Sequence, residues 1–481
     1  MKRKIATLQN SIKDAPNIFL IVMDAARADH LSCYGYYRKT TPNIDELANE
    51  GILFKNAFSA GAWTPPAVAS LFTGKYPSEH GVMGYPEDVI SGKGIFGENL
   101  YLSRQNVTLA EILSAVGYKT LGLSHTPHVS RIRGFSRGFK HFIEYYSKSL
   151  LSFNSDSLYC LAYNLIFGTD CRAVLVNRII KKWLHKNSKH RFFIYAHYCN
   201  PHAPYNPPWL WKRKFKVNTK NLSLRIKKLK DSKCNLGNYY MAKKINLSEK
   251  EFGVWKSWYD AEISYLDYRI GELIDFLRKL DVYDNTVVII TADHGECFGE
   301  HGLAYHGYGL YDELIHIPLI INAPNLIDKK RKISNLVSII DILPTILDLC
   351  NIETNIKISG GNLFHGREYI IAEKGKFKRL VRLFRKINPN FDPNIYIESK
   401  KCIRTERFKY ILSSKEELYD LKKDPHETQN IIAEKSVIAK KMKDMLMRWE
   451  KSIKKPKFEW LQEEKNKIKG KVRKLRKIGK I

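Results

Sequence analysis

The sequence predicts an α/β fold: a mostly parallel central sheet flanked by helices, followed by a smaller C-terminal α+β subdomain. Three observations lead there. Apolar runs long enough for strands buried on both faces alternate with helical patterns across most of residues 15–350. The clearest runs, NIFLIVM at 17–23 and TVVIITA at 286–292, each end in ligand-type residues, Asp24 in one case and Asp293-His294 in the other. Beyond about residue 365 the pattern changes to short segments typical of an antiparallel sheet.

The elements follow in order. Asn17–Met23 reads as a central strand, and TPNIDELANEG as a short capped helix closed by Gly51. Leu53–Ser59 is a second strand. Next comes GAWTPPAVASLFTGKYP, with Thr64 placed to start a small-residue helix that runs to Gly74. The Thr64 hydroxyl is either a plain N-cap or a nucleophile held where a helix N-terminus favours an anion. VTLAEILSAVGYKTLGLS is a helix ending at Gly117 and then a strand. RFFIYAHYCNPHAPY is a buried strand entering a Pro-rich loop. EFGVWKSWYDAEISYLDYRIGELIDFLRKL is the longest helix, and IHIPLIINAP one more strand. Past 365, REYIIAEKG, LVRLFRKI, NIYIESKKCIRT and RFKYILSS read as short antiparallel strands, with a helix near 431–453 after them. The expected divisions are an N-terminal extension at 1–15, a catalytic domain at 16–364 with a basic insertion or lid at 211–249, a subdomain at 365–453, and a polybasic tail at 454–481.

The net charge of +31 in 481 residues implies an anionic partner. It is concentrated: residues 211–233 hold 10 Lys/Arg against 1 Asp, and residues 451–481 hold 13 Lys/Arg against 3 Glu. The tail suits either a helix lying on an anionic membrane surface or a solvated, disordered end. Few aromatics are interleaved with its cations, so nucleic acid is not the expected partner. The 8 cysteines form no CxxC pair. No apolar run approaches a signal peptide or a bilayer span. The expected location is cytoplasmic, with the inner face of the membrane as the peripheral option.

Chemistry concentrates in ADHGECFGEHGLAYHGYG, where Asp293, His294, Glu296, Glu300, His301 and His306 fall within fourteen positions. Asp plus His at a strand end suits a divalent metal, although a polar loop with a capped helix start has the same composition. Ligands in parallel sheets gather at the carboxyl ends of strands, where Asp24, His197–His202 and Asp293-His294 all fall. A metal held by Asp24, Asp293 and His294 would bind the Thr64 oxygen and lower its pKa for attack on phosphorus or sulfur.

The stretch FLIVMDAARADHLSCYGYYRKTTPNIDELANEGILFKNAFSAGAWTPPAVASLFTGKYPSEHGV resembles the N-terminal signature of the sulfatase family, within the alkaline-phosphatase superfamily. TADHGECFGEHGLAYHGYGLYDELIHIPLII resembles its second signature, and VSIIDILPTILDLCNI and ELYDLKKDPHETQN its later motifs. The resemblance implies an alkaline-phosphatase-like fold. It places Thr64 at the position of the family's Cys (sometimes Ser), which is converted to formylglycine, and Val68 at that of the motif Arg. By this resemblance, family relatives with Thr here are mostly phosphodiesterases, phosphonate hydrolases or phosphoethanolamine- and glycerophosphate-type transferases.

Asp24 and Asp293 match metal aspartates, while Ala25 stands where a second Asp is usual. His294 stands where sulfatases often have Asn. The resemblance thus implies one divalent metal, Mn²⁺ or Zn²⁺ ahead of Ca²⁺. His202 in NPHAPY, His306, and more loosely His125 match residues that contact the transferred group. Arg27 and Asp29 match structural positions, and Lys75 suits the end of the Thr64 helix. The expected protein is a metal-dependent hydrolase or transferase of an anionic ester, lipid- or polysaccharide-linked, with Thr64 as covalent nucleophile. It would favour phosphodiester or phosphonate over sulfate. The alternative is a catalytically weak relative that binds an anionic polymer or membrane through its basic segments.

Overall fold

A computed structural model describes residues 15–83, 100–145, 172–216, 236–327, 331–376 and 381–454. The N-terminal extension before Ala15, the centre of the basic insertion and the tail after Lys454 lie outside the described residues. Among the described residues no helix is long and apolar enough to cross a membrane.

Among the described residues the main sheet has nine strands. Eight follow the order β11-β2-β10-β6-β1-β5-β3-β4, and β9 pairs beside them with β2. Strand β1 (Asn17–Met23) lies at the centre, with β2 at Ile52–Phe58, β3 at Lys119–Ser124, β4 at His141–Glu144, β5 at Phe192–Tyr198 and β6 at Thr286–Ala292. Strand β1 pairs in parallel with both β5 and β6, and β3 pairs in parallel with β4 and β5. Every residue of β1, β5 and β6 is buried, as their unbroken apolar runs require of strands covered on both faces. Two short strands, β7 (Cys297–Phe298) and β8 (Ala304–Tyr305), pair with each other beyond β6.

IHIPLIINAP forms two strands instead of one. Strands β9 (His316–Ile317) and β10 (Leu319–Asn322) are separated by Pro318, which has no N–H to give the ladder. Strand β10 runs antiparallel between β2 and β6, and β11 (Arg331–Ser338) closes that edge parallel to β2. The longest helix, Glu249–Lys279, starts in a capping box of Ser248 and Glu251 and packs on the helices Pro42–Glu50 and Arg172–Asn187.

The C-terminal subdomain is a four-stranded antiparallel sheet, β12 (Ile370–Lys374), β13 (Lys400–Arg404), β14 (Phe408–Leu412) and β15 (Glu417–Asp420), covered by the helix Ser436–Ser452. LVRLFRKI corrects the sequence reading: Val381–Ile387 is a helix. Leu383, Phe384 and Ile387 recur at helical spacing, and the last two are buried. Asn394–Ile397 is likewise a helical turn ahead of β13.

Candidate active site

Five strand ends deliver the site. Strands β1, β2, β3, β5 and β6 all point the same way, so their carboxyl ends share one edge of the sheet. Asp24 follows β1, Thr64 follows β2 after a short loop, His125 follows β3, His197 lies near the end of β5, and Asp293-His294 follow β6. All six side chains are buried. The turn after β6 is tight: a Cβ on Gly295 would lie 2.1 Å from the Glu313 carbonyl oxygen, so only glycine fits.

The sequence-derived set converges. His294 Nε2 is 3.4 Å from Asp24 Oδ1, 3.5 Å from Asp293 Oδ2 and 3.3 Å from Thr64 Oγ1. Ligand atoms about 2.1 Å from a tetrahedral cation lie about 3.4 Å apart, so these spacings fit one. Asp24 Oδ1 and Asp293 Oδ2 are buried and accept no hydrogen bond, a state carboxylate oxygens rarely tolerate without a cation. The other Asp293 oxygen, Oδ1, is held by the N–H groups of Ala25 and His294. Ala25 adopts a left-handed conformation (φ 63°), and its carbonyl accepts from Tyr259. At this position, where the resemblance would put another carboxylate, the backbone N–H serves Asp293 instead.

His125 was the loosest of the matches, yet its Nε2 lies 2.5 Å from Asp24 Oδ2. His197 was named only as one residue of a strand end and not as a site residue. Its Nε2 is 3.7 Å from both Asp24 Oδ2 and Asp293 Oδ2, and neither ring nitrogen has a hydrogen bond. Two groups of side chains therefore offer ligand atoms close enough for a cation: Asp24 with Asp293 and His294, and Asp24 with His125 and His197.

Burial pushes the Asp24 carboxyl up, but the charges of His202 and His125, the His125 hydrogen bond and the nearby His294 outweigh it and hold the group well below the usual range. Asp293 is also lowered, with burial and Asp24 opposing and His294 and His197 prevailing. Burial disfavours the His294 cation, yet Asp293 and Asp24 raise its pKa to about 9. For His125 burial prevails over Asp24, and its pKa falls to about 4.

The remaining imidazoles ring the site. The His306 ring is 4.3 Å from that of His294 and 4.9 Å from that of His202. His306 Nδ1 lies 2.9 Å from Glu296 Oε1, and Tyr205 donates to Glu296 Oε2 at 3.0 Å. His202 Nδ1 contacts the Ala203 carbonyl at 2.5 Å. Burial and the His294 charge lower the His306 pKa despite Glu296. Neither Glu296 nor Tyr205 had been singled out as a functional residue. Arg27 has a structural role, bonded to Asp29, to the Glu296 carbonyl and to Glu300. Lys75 lies just past the helix end and donates to Asn106.

Thr64 is not an N-cap. Trp63 occupies that position with no side-chain bond to the helix, and Thr64 is the first helical residue, with its hydroxyl near His294. The helix end is also a poorer anion cradle than expected. Pro65 and Pro66 have no N–H, and Ala67 N is bonded to the Trp63 carbonyl, which leaves Thr64 N as the free donor. Charge on a bound group therefore falls mainly to the imidazoles.

Comparisons with known proteins bear on the family and the fold. The sulfatase family model covers residues 16–352, and that of the N-sulphoglucosamine sulphohydrolase C-terminal region covers 299–453. The chain is 27% identical over 462 residues to an uncharacterized sulfatase, YidJ, of Escherichia coli K12, covering 92% of this chain and 89% of that protein. It is 27% identical over 457 residues to an arylsulfatase of Clostridium perfringens, covering 87% and 90%. A solved phosphonate monoester hydrolase of Agrobacterium radiobacter shares the fold with a TM-score of 0.68 and 21% identity, over 90% of this chain and 95% of its own. The chain therefore belongs to the sulfatase family of ester hydrolases.

Proposed function

We propose that this sulfatase-family protein uses Thr64 as a covalent nucleophile and acts on phosphorus esters, a phosphodiester or phosphonate, in preference to sulfate esters. The observation that carries this reading is the Thr64 hydroxyl, which does not cap its helix and lies 3.3 Å from His294 beside two unpartnered carboxylate oxygens. A divalent cation held by Asp24, Asp293 and His294 would supply the charge that keeps Thr64 as an alkoxide near neutral pH. The chain's own residues do the rest. Thr64 Oγ1 bonds to phosphorus as the ester oxygen leaves, and the His202–His306 pair gives that oxygen a proton. Water or an acceptor alcohol then attacks the phosphorus, the same pair takes back one proton, and the bond to Thr64 breaks.

The preference for phosphorus follows from the residue itself. A formylglycine hydrate can expel sulfate by collapsing to its aldehyde. Threonine carries no second oxygen on that carbon, so its ester must be opened by a second attack at the central atom. Several relatives are named for sulfated sugars, among them an N-acetylglucosamine-6-O-sulfatase of Bacteroides thetaiotaomicron. That supports an anionic, saccharide-linked ester as the substrate class.

The test compares kcat/KM for an aryl sulfate, an aryl phosphodiester and an aryl phosphonate monoester, in wild type and Thr64→Ala. The phosphorus esters should lead, and Thr64→Ala should lose about a thousandfold or more in kcat. Quenched wild type should yield a phosphorylated peptide containing Thr64. Near-wild-type turnover by Thr64→Ala, or a lead for the sulfate, overturns the reading.

A further inference from the structure

We propose that the site binds two divalent cations, the second held by Asp24, His125 and His197, with the Asp24 carboxylate bridging the pair. This rests on the reading that Asp24, Asp293 and His294 hold a first cation. The argument starts from the two oxygens of Asp24. Oδ1 faces His294 Nε2 at 3.4 Å, on the side of Thr64 and Asp293. Oδ2 faces a different set, His125 Nε2 at 2.5 Å and His197 Nε2 at 3.7 Å. A cation on the Oδ1 side leaves this second set unused.

His197, though also 3.7 Å from Asp293 Oδ2, falls in a ligand group with Asp24 and His125 and not with His294. It is fully buried with neither ring nitrogen hydrogen-bonded. An imidazole has one donor and one acceptor, and leaving both dry is costly. A cation at Nε2 would satisfy the lone pair. The Oδ2 set offers one carboxylate and two imidazoles from three different strand ends, the donor mix of a zinc-type site and not of an all-oxygen calcium site. The close His125–Asp24 contact is a hydrogen bond from the imidazole to the carboxylate; a cation at Nε2 would replace it, the neutral ring keeping its one proton on Nδ1. Asp24 would then bridge, one oxygen to each ion, as in paired-metal sites that clamp both attacking and leaving oxygens.

The experiment counts ions without turnover. The full chain is stripped with a chelator, dialysed against Zn²⁺ and assayed for zinc per chain, then repeated as His197→Ala and His125→Asn. Wild type should hold two, and each variant one. If His197→Ala fails to fold, by circular dichroism and gel filtration, His125→Asn decides alone. With Mn²⁺, wild type should give the exchange-coupled electron paramagnetic resonance spectrum of a bridged pair, and the variants that of an isolated ion. One zinc in wild type overturns the second site and leaves the first cation standing. Two zincs that survive both substitutions place the second ion elsewhere and also overturn it. No zinc in wild type removes the first site, and the proposal with it.

Discussion

Glu296 is a buried carboxylate shared between His306 Nδ1 and the Tyr205 hydroxyl, and it reaches the proposed chemistry through both. Its bond to Nδ1 leaves His306 Nε2 to exchange protons with a reacting oxygen. Glu296→Gln should therefore lower kcat about 10–100-fold with little change in KM, as for other residues that orient a working imidazole. The pH profile gives a sharper check. Burial and the His294 charge already lower the His306 pKa, and the Glu296 charge is what holds it up. Removing that charge should move the acid limb of kcat to lower pH. An unchanged profile would reduce Glu296 to packing. At this scale the sequence was informative where a polar residue ended an apolar run, as at Asp24 and Asp293-His294, and where a hydroxyl opened a Pro-led helix, as at Thr64. His197 was not, because a histidine inside FFIYAHYC has the same neighbours whether it is a ligand or a packed ring. Glu296 was passed over among the acids of one loop because sequence does not say which of them turns inward.

Between elements, Arg27 ties the loop after β1 to the loop after β6. Its guanidinium donates to Asp29, to the Glu296 carbonyl at 3.0 Å and to Glu300 Oε1 at 3.0 Å. Burial raises the Glu300 pKa, but Arg27 and Lys256 outweigh it and bring it from 4.5 to about 2. The folded state thus binds fewer protons than the unfolded chain between those values. The stabilisation is complete above about 4.5 and is lost as pH falls toward about 2. Glu300→Gln should cost about 1.5–3 kcal/mol at pH 7, the value of a hydrogen bond to a charged group. Its urea midpoint should then fall less than that of wild type on acidification to pH 3. Parallel acid curves would show that this bridge does not link the loops. The alternation of strand and helix was plain from the apolar runs. What the sequence hid was direction. Nothing in IHIPLIINAP says that β10 runs antiparallel between β2 and β6, and the mixed periodicity of LVRLFRKI admits a strand until Phe384 and Ile387 find a common core.

Across the whole molecule, the C-terminal sheet is pinned to the catalytic domain by a buried charge cluster. Lys409 on β14 is fully buried, with Nζ 2.8 Å from Asp312 Oδ1 and 2.8 Å from Glu427 Oε1, and Arg404 also reaches Asp312. Lys409→Met would leave the carboxylates without their shared cation and should destabilise the protein by about 3–5 kcal/mol. A loss in urea unfolding below about 1 kcal/mol would show that the cluster contributes little. The same sheet reaches the site by a second route. Glu373 N, on β12, donates to the Ala60 carbonyl in the loop that leads to Thr64, and Ser78 N donates to Glu373 Oε2. These partners are far apart along the chain: Ser78 and Glu373 are separated by 295 residues. A ribosome adding about 5–20 residues per second takes roughly 15–60 s to cover that distance. Throughout that interval the nascent loop carrying Thr64 lacks the strand that braces it. The hydrogen bonds that brace the Thr64 loop therefore form only after β12 has been made.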